Sequence, residues 1–335
     1  MVTMMEKKKI WLWISALLLI PGIVSLFVWK LQLGIDFKGG SLSEYQTTSL
    51  EQGREQVEKI FTEEKVGEIQ LQSDVKTSDD IRLYVKSQTL SEDTHRNIVR
   101  RLEETNPVVK ELSFETIDPQ VGRDVTRKAL MAIIVASAAI ILYLAYSFRG
   151  VPKPVSSWQF GVIAVIALLH DVLFIIGFYS LMGHFAGYEV RAEFVTAALT
   201  VMGFSVHDTI VVFDRLRENL KRHPSNTFSQ IANMSVAQTM TRSLNTSLTV
   251  ILVLLAIVLL GGESIREFTL TLLVGIAVGT YSSIFVATPL LDWWQTAGPK
   301  VRGFFQRSGN ALYLRIKDYQ LPSLRRQSAR KTQKA

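Results

Sequence analysis

Phe194-Val-Thr-Ala-Ala-Leu-Thr-Val-Met-Gly-Phe-Ser-Val-His-Asp-Thr-Ile-Val-Val-Phe213 is long and apolar enough to cross a bilayer, yet it carries an imidazole and a carboxylate, His207 and Asp208. A membrane-spanning helix needs about 20 mostly apolar residues. An ionised carboxylate at membrane depth is costly and persists mainly where it pairs or carries ions. Working outward, five more blocks qualify as spans: Ile10–Trp29, Ala129–Phe148, Trp158–Met182, Leu244–Leu260 and Phe268–Trp294. The third span carries a second adjacent pair, His170–Asp171, and Asp214 and Arg242 lie near the ends of others. The fold class is therefore an α-helical polytopic membrane protein with six transmembrane helices.

The first block follows Lys7-Lys8-Lys9, as a signal peptide would. Its apolar run is longer than a signal core, no small-x-small cleavage site follows, and Val28-Trp29-Lys30 suits an interfacial anchor. It is expected to be a retained helix at 10–29, behind a short cytoplasmic segment, 1–9. Net charge is +7, but residues 30–127 hold 14 Lys+Arg and 19 Asp+Glu, a net of −5, so the remainder carries +12. The basic character belongs to the membrane part, which argues against nucleic acid as a partner. Lys7–Lys9, Arg149–Lys153, Arg215–Arg222 and Arg325–Lys334 fall on one side of a six-span layout, so the positive-inside rule puts both termini in the cytoplasm. Residues 30–127 then lie outside, 128–295 hold spans two to six, and 296–335 form a basic tail expected to be disordered near anionic lipid. There is no cysteine, hence no disulfide framework.

The outer segment reads as a small α+β domain. Strands are expected at Leu42–Thr48, Glu68–Gln72, Ile81–Lys86 and Val108–Thr116, with a polar turn at Ser73–Asp80. Helices are expected at Leu50–Lys65, with Val57, Ile60 and Phe61 on one face, and at Ser91–Glu104 behind an N-cap at Ser91. The order β-α-β-β-α-β predicts a ferredoxin-like sandwich. The polar stretch Arg215–Met240 is expected to be a loop with a short helix along the inner surface.

Asp208 sits roughly 9 Å below the inner interface at 1.5 Å per residue. Ser205, Asp208 and Thr209 share a polar face, and Gly203 lets another helix approach. Thr239, Arg242, Asn245, Thr246 and Thr249 form a polar stripe at the start of the fifth helix, so Arg242 is the expected partner of Asp208. A carboxylate beside a guanidinium, with water access, can switch between charged and neutral forms, which is the unit of a proton relay. A static ion pair is the alternative reading. His170–Asp171 is mid-span, His207 points about 100° away from Asp208, and Asp214 with Arg215 suits a helix end. No third ligand accompanies the His-Asp pairs and no Walker-type loop is present, so the residues support no metal, no cofactor and no enzyme. Gly275-x-x-x-Gly279 is a helix-contact motif. Gly34, Gly39 and Gly40 bracket Asp36-Phe37-Lys38 just outside the first span, a tight turn that suits a joint.

Five motifs in order then carry a resemblance: Gly34-Ile-Asp-Phe-Lys-Gly-Gly40, Val121-Gly-Arg-Asp-Val125, His170-Asp171, Ser205-Val-His-Asp-Thr-Ile-Val-Val-Phe-Asp-Arg215 and Arg242-Ser-Leu-Asn-Thr246. Over residues 10–295 the chain resembles the SecF family of the Sec protein-export machinery, which is similar to half of a resistance-nodulation-division transporter. The resemblance implies a partner, SecD, with six further helices, and assistance to the SecYEG channel in drawing preproteins outward with the proton gradient. It assigns the proton relay to Asp208 and Arg242, with a SecD acid opposite, and places the chain in the cell (inner or plasma) membrane. Relatives commonly have Asn where this chain has His207. Two other readings stand beside it, a non-transducing scaffold of the export complex and half of a lipid or small-molecule exporter.

Overall fold

The computed structural model describes residues 4–77, 80–105, 109–149, 157–262 and 265–296. The basic tail, the centre of the Ser73–Asp80 turn and most of the Arg149–Lys153 loop lie outside them. Six helices are long and apolar enough to span a bilayer: α1 (Lys8–Val28), α5 (Pro119–Ser147), α6 (Ser157–Ala186), α7 (Ala192–Arg222), α8 (Phe228–Leu260) and α9 (Arg266–Ser282), which runs on through a π-helical turn, Ser283–Ala287, to Thr296. The chain is a multi-pass membrane protein.

Between α1 and α5 lie a four-residue helix, α2 (Ile35–Lys38), and the series β1 (Gly40–Thr47), α3 (Leu50–Glu63), β2 (Gln70–Thr77), β3 (Asp80–Ser87), α4 (Glu92–Thr105) and β4 (Lys110–Ile117). The strands form one antiparallel sheet in the order β2-β3-β1-β4, with Leu42 opposite Lys86 and Tyr45 opposite Leu83. Alternation along β1 and β3 turns Tyr45, Leu83 and Val85 toward α3 and α4, where Val57, Ile60, Phe61, Ile98 and Leu102 complete a buried core. Gly53 lets α3 close on β1, since a Cβ there would fall 2.8 Å from Thr47 Oγ1. Ser91 caps α4 by accepting from Thr94 N at 3.2 Å. β2 runs on to Thr77, through much of the segment expected as a turn, because its residues pair along β3.

Two membrane elements depart from expectation. α5 begins at Pro119, ten residues before the apolar block, because Asp118 caps it by accepting from Gln120 N at 2.7 Å and Pro119 suits a first helical turn. The Arg215–Met240 loop with a surface helix is not found. Instead α7 continues to Arg222, and α8 starts from a capping box of Thr227 and Gln230. Leu216, Leu220, Ile231, Ala232 and Val236 keep helical spacing within this polar stretch and pack into the main membrane core. Asn219 Nδ2 donates to Ser235 Oγ and Gln238 Oε1, both at 2.9 Å, tying the hairpin together.

α6, α7 and α9 form the interior, and α1, α5 and α8 flank them with largely exposed apolar faces. Glycines set the closest approaches. At Gly22 of α1 a Cβ would lie 2.9 Å from Gly177 Cα of α6. Gly275 and Gly279 both meet α7, at Val201 and Ser205, so that motif is a helix contact. Gly203 faces open space, and no helix of the described residues approaches it.

Candidate functional site

Asp208 is buried on α7, with its Oδ2 accepting from Ser247 Oγ of α8 at 3.2 Å. Ser247 in turn accepts from Thr280 Oγ1 of α9 at 2.6 Å. The expected ion pair with Arg242 is absent: Arg242 is exposed and has no ion pair among the described residues. Helix phase is the reason. Ser243 and Ser247 lie one turn apart on the buried side of α8, Arg242 and Thr246 fall about 100° round from it, and Asn245 lies further round still. Thr246 returns its hydroxyl to Arg242 O at 3.0 Å. His207 is likewise on the outer surface, with Nδ1 3.8 Å from Asp208 Oδ1. Thr200, Gly203 and His207 of α7 and Arg242, Asn245, Thr246 and Thr249 of α8 are all exposed.

Ser205 and Thr209 do not serve Asp208. Ser205 Oγ donates to Asp171 Oδ2, and Thr209 Oγ1 shares a hydrogen bond of 2.8 Å with Ser283 Oγ. Asp171 is fully buried at the meeting of four helices. Its Oδ2 also accepts from Ser282 Oγ at 2.7 Å, and its Oδ1 lies 2.9 Å from His170 Nδ1. His170 Nε2 lies 2.6 Å from Ser15 Oγ of α1. Serines inside apolar blocks, Ser15 with no serine adjacent and Ser282 beside Ser283, were the available signal for these partners. Asp214 is exposed, two turns before the end of α7 rather than at it, and Arg215 bonds Gln238 and Glu218 instead.

A third buried carboxylate escaped the sequence reading. Asp292, near the C-terminal end of the sixth span, is 2.7 Å from Lys8 Nζ and accepts from Ser229 Oγ at 2.6 Å. One of the basic residues read as topogenic therefore joins α1 to α9.

The glycine turn is clamped at several points. Gly34 N donates to Val190 O at 2.9 Å, and Val190 N to Gln32 O at 2.7 Å. Asp36 Oδ2 accepts from Ala192 N, the first amide of α7, at 2.8 Å. Gly39 and Gly40 have φ of +78° and +130°, and a Cβ at Gly39 would lie 2.5 Å from Pro119 Cα. Nearby, Lys86 and Glu189 (2.6 Å) and Arg191 and Glu115 (2.8 Å) bridge the open sheet face to the α6–α7 connection, around a polar cavity of about 470 Å³. Burial alone would lower the Arg191 pKa, but Glu115, Glu193 and Asp36 outweigh it and hold that pKa above its ordinary value.

A family profile described as "Protein export membrane protein SecD/SecF, C-terminal" matches residues 97–297, and one described as "SecD/SecF GG Motif" matches residues 24–49. The chain is 38% identical to "Protein translocase subunit SecF" of Anaerolinea thermophila, over 92% of this chain and 98% of that one. It is 34% identical to "Protein translocase subunit SecDF" of Bacillus subtilis, over 87% of this chain and 38% of that longer one. The crystal structure of SecDF from Thermus thermophilus, a translocon-associated membrane protein, superposes with a TM-score of 0.74 at 32% identity, covering 87% of this chain and 38% of that chain.

Proposed function

The chain belongs to the SecF family of protein translocase subunits, and on that premise we propose that it couples proton movement to protein export as one half of a SecD–SecF complex. The observation that carries this reading is a buried carboxylate, Asp208, beneath an exposed intramembrane face bearing His207, Arg242, Asn245 and Thr246. Polar side chains at that depth do not face lipid; they face protein or a water-filled cavity. SecD is the natural cover for this face. Fusion of the two halves in the Bacillus subtilis relative supports that pairing. Arg242 then meets an acid of the partner, and Asp208 exchanges its proton in the seam. Protonation of Asp208 weakens its bonding to Ser247, and α7 and α8 repack against the partner. Both termini lie in the cytoplasm of a cell (inner or plasma) membrane, residues 30–127 lie outside, and the complex assists SecYEG in drawing preproteins outward.

The test is preprotein export in sealed vesicles that contain the chain and its partner. Asp208→Asn and Arg242→Met each abolish the gradient-dependent part of export and leave the ATP-driven part. Unchanged gradient dependence in both variants sinks the relay. Co-purification of the partner with both variants separates a relay, which keeps the complex intact while gradient dependence is lost, from a scaffold, which loses the complex.

A further inference from the structure

Asp171 is a fully enclosed carboxylate in the membrane part, ringed by an imidazole and three hydroxyl-bearing side chains. Asp171 and Ser282 are 0% exposed, Ser205 2%, Ser15 4% and His170 9%. His170 is the least enclosed group of the cluster. The groups facing the carboxylate from each packed element are Ser15 of α1, His170 of α6, Ser205 of α7 and Ser282 of α9. His170 alone among them titrates. The next carboxylate, Asp208, lies one turn further along α7 and is bonded to Ser247. No Lys or Arg pairs with Asp171 among the described residues. A purely structural contact gains little from a carboxylate here, since an amide or an apolar side chain fills the space without the cost of burying a charge.

We propose that Ser15, His170 and Asp171 form a second proton-binding site, loaded through the imidazole. This rests on the proton-coupled reading above and adds a second site to it. In the unloaded state His170 is neutral, Nδ1–H donates to Asp171 Oδ1, and Nε2 accepts from Ser15. An incoming proton binds Nε2, and the Nδ1 proton passes to Oδ1. One N–H bond forms, one breaks and one O–H bond forms, so the site goes from −1 to neutral. Ser15 Oγ then accepts from Nε2–H. The neutral carboxyl holds the Ser205 and Ser282 hydroxyls less strongly, because charge-assisted hydrogen bonds are roughly twice as strong as neutral ones. Those serines sit on α7 and α9, which also carry Asp208 and Thr280 of the first site. Loading one site thereby alters the helix contact that the other depends on.

Infrared difference spectroscopy of the SecD-paired complex in liposomes, during a pH jump, reads protonated carboxyls by their C=O stretch. The wild-type complex shows separate bands from this chain. Asp171→Asn removes one of them and Asp208→Asn another, and His170→Asn slows the appearance of the Asp171 band. Ser282→Ala, which keeps both charges, moves the Asp171 band to higher frequency and leaves the Asp208 band in place, and it decides the matter where Asp171→Asn fails to fold. Loss of the Asp208 band alone, with no band responding to Asp171→Asn or Ser282→Ala, overturns the second site and leaves the function standing. No band responding to either aspartate, together with unaltered gradient-driven export, overturns the function itself.

Discussion

Replacing Lys8 with methionine removes the cation that, among the described residues, pairs with the buried carboxylate of Asp292. The pair is 2.7 Å apart, with side chains 18% and 0% exposed, and Ser229 supplies one further donor. Deleting one partner of a buried pair costs about 3–5 kcal/mol, because the other charge is left uncompensated. The residual exposure of Lys8 lets water reach that end of the pair and favours the lower figure. At 1.4 kcal/mol per tenfold, about 3 kcal/mol opens the junction of α1, α8 and α9 by somewhat more than a hundredfold. The absence of cysteine gives a clean assay, since Leu291→Cys places a single thiol beside Asp292 at a fully buried position. The labelling rate of that thiol in membranes rises on the order of a hundredfold with Lys8→Met. Adding Asp292→Asn removes the stranded charge and returns the rate to within about tenfold of the parent. An unchanged rate in Lys8→Met, or a double variant as open as the single one, refutes the reasoning.

Gly39→Ala combines a positive φ with a Cβ 2.5 Å from Pro119 Cα, whereas Gly67→Ala has a φ of +66° and no contact nearer than 3.5 Å. The first loosens the junction of outer domain and α5 by about 2 kcal/mol or more and the second costs about 1 kcal/mol, read as protease sensitivity near residues 30–40. The Lys86–Glu189 bridge, with side chains 16% and 19% exposed, gives a coupling of about 1 kcal/mol in a double-mutant thermal unfolding cycle, and that coupling falls as salt is raised.

The six spans were legible because block length alone identifies them, and the outer elements because apolar period separates strand from helix. The α7–α8 hairpin was not legible as such. Its residues are polar on average, and only the spacing of Leu216, Leu220, Ile231 and Val236 betrays helices that outrun the bilayer. The partner of Asp208 was misread for a related reason. Both faces of α8 near it are polar, and a single sequence gives the phase of a stripe but not which neighbour it meets. Arg242 is the more conspicuous residue, yet the small hydroxyls of Ser243 and Ser247 are the ones that fit between packed helices. The Asp171 cluster joins α1, α6, α7 and α9 across separations of up to 155 residues, which no local pattern encodes.

Asp36 accepts the first amide of the same helix that carries Asp208, and Gly34 donates to Val190, two residues before that helix begins. α7 runs unbroken for 31 residues from that tether to the inner hairpin. Asp208 lies near its middle. The Ala192 end lies about 24 Å from Asp208 at 1.5 Å per residue, so a tilt of about 10° about Asp208 would carry the tether by about 4 Å. A displacement of that size exceeds the length of the bonds that hold Asp36 and Gly34. The α+β domain between α1 and α5 must therefore travel with that end of the helix or lose its tether.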